Sequence, residues 1–367
     1  MSGHVAVTGI GVVSALGVGV QPFWDALLAG RGTPGGRIEH LEVRRWVRSA
    51  QGRRIDRTSL LALAAARLAL ADAGLAPEAL EPPRTALALG SAFGNIQETV
   101  TFLDRIFERG TGNPLLFPNL VMNAALSYVA IELGITGPSA MVTEQDASGE
   151  AAIGWGAKQV ADGAVEVCLA GAADELAAGV VDLGRAGHAP VGDGARPAEG
   201  AAVLVLESPA HALRRGARRY ARLVPHAGFG IPAPVHGWSA GAGQLAQRLA
   251  PLAGDVDLVV AAASGDVGLD ELEAEALARV FAGRRVAVTA PRGTTGSFGA
   301  AGALAVAAAA LSASCGLVPP TIGWSAGMAR GLDVVTGAAR AMPVHRVLVD
   351  GLARGGACRP LRLEAAG

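Results

Sequence analysis

Met141-Val142-Thr143-Glu144-Gln145-Asp146-Ala147-Ser148-Gly149 reads as the end of an apolar strand turning sharply into a helix. The helix is predicted over 148–160, and its small residues Gly149, Ala151, Ala152, Gly154 and Gly156 let its backbone lie close against a neighbour. A corner of this kind suits a thiol. The free N–H groups and positive dipole end of the helix lower a cysteine's pKa and favour the nucleophilic thiolate. The corner of this chain holds Asp146, which cannot do that work.

Outward from the corner, apolar strand patterns alternate with helical ones, as in layered α/β proteins. In the first half, strands are predicted at 85–90, 165–170 and 201–206, with helices at 60–73, closed by Gly74, and 97–109. The second half offers strands at 258–262, 285–289 and 344–350 and an alanine-rich helix at 300–313. That helix is too short for a bilayer, which needs about 20 residues, and reads as buried core. The glycine- and proline-rich stretch 179–197 has no period and is predicted to be a long functional loop, and arginine-rich 214–222 links the halves.

Several segments carry a family resemblance that covers nearly the whole chain. They are Val5-Ala6-Val7-Thr8-Gly9-Ile10-Gly11-Val12-Val13-Ser14, Phe117-Pro118, Ala130-Ile131-Glu132-Leu133-Gly134-Ile135-Thr136-Gly137-Pro138, Ala170-Gly171-Ala172-Ala173-Asp174-Glu175 and Glu199-Gly200-Ala201-Ala202-Val203-Leu204-Val205-Leu206-Glu207. In order and spacing they resemble the β-ketoacyl synthases. The resemblance implies the α/β thiolase-like fold, two pseudo-duplicated halves in an α-β-α-β-α layering, here divided as 1–210 and 211–367.

Against that family the chain lacks the parts that do chemistry. Asp146 falls at the nucleophile's place; Asp257-Leu258-Val259-Val260 leads to Ala262 and Ala263 where the first active-site histidine belongs; Thr294-Thr295-Gly296-Ser297 puts Gly296 or Ser297 at the second. Arg292 stands where the family usually has lysine, and Leu352-Ala353-Arg354-Gly355-Gly356 replaces a phenylalanine-rich gating loop. Decarboxylative condensation needs a thiolate to carry the acyl chain and imidazoles to stabilise the enolate. With all three missing, the resemblance narrows to the chain-length factor, the silent partner of a ketosynthase in a bacterial type II polyketide synthase. Those proteins carry a Glu-Gln-Ala-Gly-Gly-like context, to which Glu144-Gln145-Asp146-Ala147-Ser148-Gly149 is similar but not identical.

The resemblance further implies a heterodimer with an active synthase α subunit, acyl carrier protein as a second partner, and no cofactor in this chain, phosphopantetheine being delivered by the carrier protein to the partner. In such pairs the strand before the elbow, here 140–143 with Ala140, Val142 and Thr143, pairs across a pseudo-twofold axis, and 111–133 lines the chain tunnel. Phe117, Met122, Leu126, Tyr128 and Leu133 are the candidate tunnel or interface residues; for any one of them ordinary packing is the simpler reading. An aromatic and a highly reducing polyene pathway both stay open.

Composition agrees with this. The 31 basic and 32 acidic residues leave a net charge of −1, which disfavours nucleic acid and anionic membrane as partners. No secretory leader pattern follows Met1, so cytoplasmic residence is expected. Cys168, Cys315 and Cys358 lack CxxC spacing and read as reduced structural thiols, and no metal set is visible.

Competing features are weaker. Gly237-Trp238-Ser239-Ala240-Gly241 and Gly323-Trp324-Ser325-Ala326-Gly327 both match GxSxG, with His226 and His236 near the first. A hydrolase elbow needs a strand before the serine, and prolines precede both, so loop turns are the better reading. A homodimeric scaffold or carrier-protein-binding module also accounts for the missing chemistry. Asp146 is read first as an N-cap of the following helix, or else as a carboxylate filling the site against Arg292. Arg354 is read as an exposed loop residue or a carrier-protein contact, and the arginines at 44, 45, 48, 53, 54 and 57 as a solvated face.

Overall fold

In the computed structural model, residues 3–32, 36–48, 54–179, 197–235, 237–239, 241–323 and 330–367 are described. Most of the predicted 179–197 loop, the second GxSxG turn beyond Gly323, His236 and Arg53 lie outside them.

The first half contributes β1 (Val5–Ser14), β2 (Thr85–Gly90), β3 (Ser139–Val142), β4 (Val167–Asp174) and β5 (Gly200–Glu207). The second contributes β6 (Ala221–Val224), β7 (Leu258–Val260), β8 (Ala287–Thr289), β9 (Asp333–Val334), β10 (Arg346–Val349) and β11 (Leu361–Ala365). They join in one sheet in the order β9-β8-β7-β10-β11-β6-β1-β5-β4-β2-β3.

Walking outward from the β1–β6 junction shows the duplication directly. On one side β1 pairs antiparallel with β5, β5 antiparallel with β4, then β4 with β2 and β2 with β3 in parallel. On the other, β6 pairs antiparallel with β11, β11 antiparallel with β10, then β10 with β7 and β7 with β8 in parallel. Two halves of one chain thus repeat a single pairing rule.

Helices fill three layers. The described set includes α1 (Val20–Leu28), α2 (Arg57–Asp72), α3 (Ile96–Arg109), α4 (Ala124–Leu133), α5 (Ser148–Ala161), α6 (Ala242–Leu249), α7 (Val267–Val280) and α8 (Ala301–Cys315). Because strand side chains alternate between faces, Ala202, Leu204 and Leu206 of β5 enter the central core with α5 and α8, while Ala201, Val203 and Val205 pack with α2 and α4. In β7, Leu258 and Val260 join the same central core and Val259 turns to the α6–α7 side. The order is therefore α-β-α-β-α. Helix α8 is apolar on all sides, as a helix buried in the middle layer must be; every residue from Ala301 to Ala313 is buried.

Small residues make the close approaches possible. A Cβ at Gly149 would lie 2.5 Å from the Ala303 nitrogen, and one at Gly11 would lie 2.0 Å from the Ala65 carbonyl oxygen, so α5 meets α8, and α2 meets β1, backbone to backbone. Asp56 caps α2 by accepting the Ser59 N–H at 2.8 Å, an arrangement that typically contributes about 1 kcal/mol. The predicted elements are recovered with shifted ends: 60–73 as Arg57–Asp72, 97–109 as Ile96–Arg109 and 300–313 as Ala301–Cys315. Strand 165–170 starts and ends later than expected, because the run through Asp174 continues the ladder with β5.

Candidate functional site

Strand β3 ends at Val142, and a single 3-10 turn, Gln145–Ala147, delivers the chain into α5. Gln145 has φ 49°, the left-handed region that non-glycine residues adopt at a strain cost. The predicted strand-to-helix corner is there, with Asp146 buried at it.

Asp146 does not cap α5. The N-cap position is Ala147 and carries no side-chain cap; it is the Ser148 hydroxyl that accepts the Glu144 N–H at 2.9 Å. The Asp146 carboxylate points away from the helix start and accepts from Arg354 twice, from its guanidinium at 2.8 Å and its backbone N–H at 3.2 Å. Arg354 is 5% exposed and so is not the loop-surface residue the sequence suggested. A second guanidinium nitrogen donates to Asp266 at 2.9 Å, and the cation lies 5.0 Å from the Trp238 ring centroid. Asp266 is meanwhile the N-cap of α7, accepting from Gly268 N–H. The Asp146–Arg354–Asp266 bridge therefore ties the first-half elbow to the second-half loop and to the C-terminal turn at Arg354–Gly356.

Arg292 is the nearer neighbour of the elbow backbone rather than of its carboxylate. It donates to the Asp146 carbonyl at 3.1 Å and to Glu150 at 3.5 Å. Ala262 and Ala263 are brought to the same region, and both of their N–H groups go to the Glu273 carboxyl, at 2.6 and 2.9 Å. Gly296, φ 85°, closes the short turn that begins at Arg292, and Ser297 follows half-buried. Gln145 reaches out to the Val235 carbonyl at 3.4 Å.

Sequence reasoning missed the acids behind this bridge. Burial pushes the Glu150 carboxyl up to about 7, with Arg292 offsetting part of the rise. Burial also drives Glu273 well above the usual carboxylate range and raises its neighbour Asp350. Neither Asp350 side-chain oxygen has a hydrogen-bond partner among the described residues, and the two acids lie close enough for each to raise the cost of ionising the other. A glutamate among the small residues of α5 was the available signal.

An acid that binds its proton more tightly folded than unfolded gives stability that is present at low pH and fades as pH rises between the two pKa values. For Glu150 that window runs from about 4.5 to about 7, worth on the order of 3 kcal/mol. Glu150→Gln should remove this slope. Urea unfolding at about pH 5 and about pH 8 checks it: equal pH dependence in both proteins would mean Glu150 ionises freely.

The tunnel and interface candidates separate into two sets. Phe117 and Met122 are 64% and 41% exposed, Thr143 is exposed, and Tyr128, Ala140 and Val142 are half-buried. Leu126 and Leu133 are instead buried in the core cluster that α2 and α4 share. Tyr128 donates to the Asn119 side chain at 3.0 Å. Arg57, placed by sequence on a solvated face, pairs at 2.5 Å with buried Glu199. The Ser239 hydroxyl accepts the Gly241 N–H at 3.0 Å, and among the described residues no strand directly precedes it. That removes the framework a hydrolase elbow needs. All three cysteines are free, and Cys168 and Cys358 are buried.

The family models for the β-ketoacyl synthase N-terminal and C-terminal domains match residues 46–212 and 226–325. The chain belongs to the β-ketoacyl synthase family. It is 30% identical to the tetracenomycin polyketide synthase ketoacyl synthase beta subunit of Streptomyces glaucescens, over 96% of each chain. It is equally 30% identical to the alpha subunit of the same synthase, over 96% of this chain and 95% of that one. Among solved structures, the ishigamide ketosynthase/chain length factor superposes with a TM-score of 0.88 at 26% identity, covering all of both chains. These relatives place it among the type II polyketide synthase ketosynthase and chain-length-factor subunits. Equal identity to an alpha and a beta subunit means that the elbow, not overall similarity, must separate the two roles. Among the described residues no helix is long and apolar enough to cross a membrane.

Proposed function

We propose that this chain is a catalytically silent chain-length factor that pairs with an active ketosynthase of a type II polyketide synthase. The observation that carries the reading is Asp146, held at the elbow by Arg354 where a synthase thiolate would stand. A carboxylate held in a buried ion pair with a guanidinium is a poor nucleophile toward a thioester carbonyl, and no imidazole comes from Ala262, Ala263, Gly296 or Ser297. In the pair, the partner's thiolate takes the acyl chain from the carrier protein's phosphopantetheine. Loss of CO2 from the extender thioester leaves an enolate, which attacks that acyl group. This chain supplies the facing wall, in the cytoplasm, with the halves 1–210 and 211–367 acting as one body.

The surface supports pairing. Among the described residues strand β3 bonds only to β2, which leaves its other edge open at the end of the sheet. Beside the elbow half of the fold, Val100, Leu103, Ile106 and Phe107 of α3 are exposed, and Leu115, Phe117, Val121 and Met122 extend the patch. An open edge with a large apolar surface marks an interface in a stable protein.

Native mass spectrometry of the chain alone and coexpressed with the ketosynthase encoded beside it tests this. A defined heterodimer and little homodimer is the expected result. A stable homodimer indifferent to the synthase would overturn the reading in favour of a homodimeric scaffold. Asp146→Cys should restore no condensation, since both imidazoles stay missing; product formation by that variant in the absence of a partner would show the site was not silent.

A further inference from the structure

A cavity of about 540 Å³ lies apart from the elbow. None of its lining residues belongs to the Asp146 bridge or its acids. It opens where β1, the start of α1, the end of α2 and the end of α8 converge, and its wall is mostly apolar, built by Ile10, Val20, Trp24, Leu68 and Leu311. Its volume falls in the range that holds small organic ligands, about 300–1,000 Å³.

The polar groups of the cleft are unevenly committed. Each Asp72 oxygen has a partner, one accepting from the Tyr220 hydroxyl at 3.1 Å and the other from the Ile10 N–H at 2.9 Å. Arg218 is different. Its guanidinium carbon lies 4.2 Å from the Tyr220 ring centroid, its charge acts on the Tyr220 hydroxyl, and no carboxylate forms an ion pair with it among the described residues. A guanidinium without an ion-pair partner is suited to two parallel bonds with a carboxylate. The first turn of α1, which forms the opposite lip, carries no acidic residue and no side-chain cap.

We infer that this cleft binds an amphipathic carboxylate of medium chain length, with its head on Arg218 and its hydrocarbon along the Ile10–Trp24–Leu68 wall. The apolar wall supplies most of the affinity by area removed from water, and the guanidinium selects the acid over the alcohol. The inference is independent of the subunit role proposed above.

Cys315 gives a local readout. It lines the cleft and is exposed, whereas Cys168 and Cys358 are buried and serve as internal controls. The rate of Cys315 alkylation by iodoacetamide is measured by mass spectrometry with octanoate, with octanol, or with neither, on the full chain and on Arg218→Gln. Octanoate should slow alkylation at least about fivefold at saturation, and octanol should need roughly tenfold more ligand, as expected for losing a hydrogen bond to a charged group. Arg218→Gln, at an exposed position, should abolish the difference between the two ligands. Alkylation unchanged by octanoate below its micelle concentration overturns the site. Equal protection by octanol, or full discrimination retained in Arg218→Gln, overturns the carboxylate assignment.

Discussion

Arg354→Met should destabilise the protein by about 3–5 kcal/mol, the usual cost of removing one partner from a buried ion pair. The size follows from what the side chain leaves behind. Its guanidinium serves Asp146 at 2.8 Å and Asp266 at 2.9 Å, and all three side chains are largely removed from water, at 5%, 10% and 12% exposed. Without the cation, two carboxylates face one another across a space that solvent barely enters, and each loses a charge-assisted bond. Arg354→Lys keeps the charge but cannot fork to both acids, so it should recover only part of the loss. The double variant Arg354→Met with Asp146→Asn should recover more, because it removes one orphaned charge together with its partner. Urea midpoints with an unchanged m-value measure these differences. A loss below about 1 kcal/mol for Arg354→Met, the range of exposed pairs, would show that the bridge is solvated and does not seal the elbow.

The strands and helices were legible because their signals are local. The unbroken apolar run of 201–206 and the alanine-rich 300–313, interrupted only by Gly302 and Ser312, state their own burial, and Gly74 and Gly110 mark helix ends by accepting a left-handed φ. The elbow was legible for the same reason: an apolar strand, a turn and a small-residue helix are contiguous. What Asp146 does there was not, since its partner is 208 residues away and no spacing rule links the two. Arg354 looked like a surface arginine because glycines flank it, yet those glycines exist to fold the turn inward: Gly355 and Gly356 have φ 77° and 84°, and a Cβ on Gly356 would lie 1.9 Å from the Ile231 carbonyl oxygen. That Leu126 and Leu133 are buried was hidden for a related reason. They share α4 with half-buried Tyr128 and exposed Ile131, and only the packing of α2 against α4 decides which face is core.

Phe107→Asp should weaken the heterodimer at least about 100-fold, or on the order of 3 kcal/mol, while leaving the isolated chain's melting temperature unchanged. Both halves of that expectation come from exposure. Phe107 is 84% exposed, so the folded monomer draws nothing from its ring, and an aspartate there meets only water. In α3 it continues a stripe through Val100, Leu103 and Ile106 at helical spacing, and among the described residues that helix buries none of its side chains within the chain. An amphipathic helix with its apolar stripe turned outward is stable in a pair that covers it. A specific interface covers about 1,600 Å² in total and concentrates its energy in a few aromatic anchors worth 2 kcal/mol or more. The Asp variant loses that anchor and adds the cost of desolvating a carboxylate with no partner. Phe117→Asp, at the other end of the patch and 6.4 Å from the Phe102 ring centroid, should act in the same direction with a smaller effect. It is 64% exposed, so part of its ring already packs within the chain. Titration of the purified subunits by native mass spectrometry or sedimentation reads the affinity. An unchanged dissociation constant for Phe107→Asp would move the interface off this face and leave the open edge of β3 as the remaining surface through which the partner can attach.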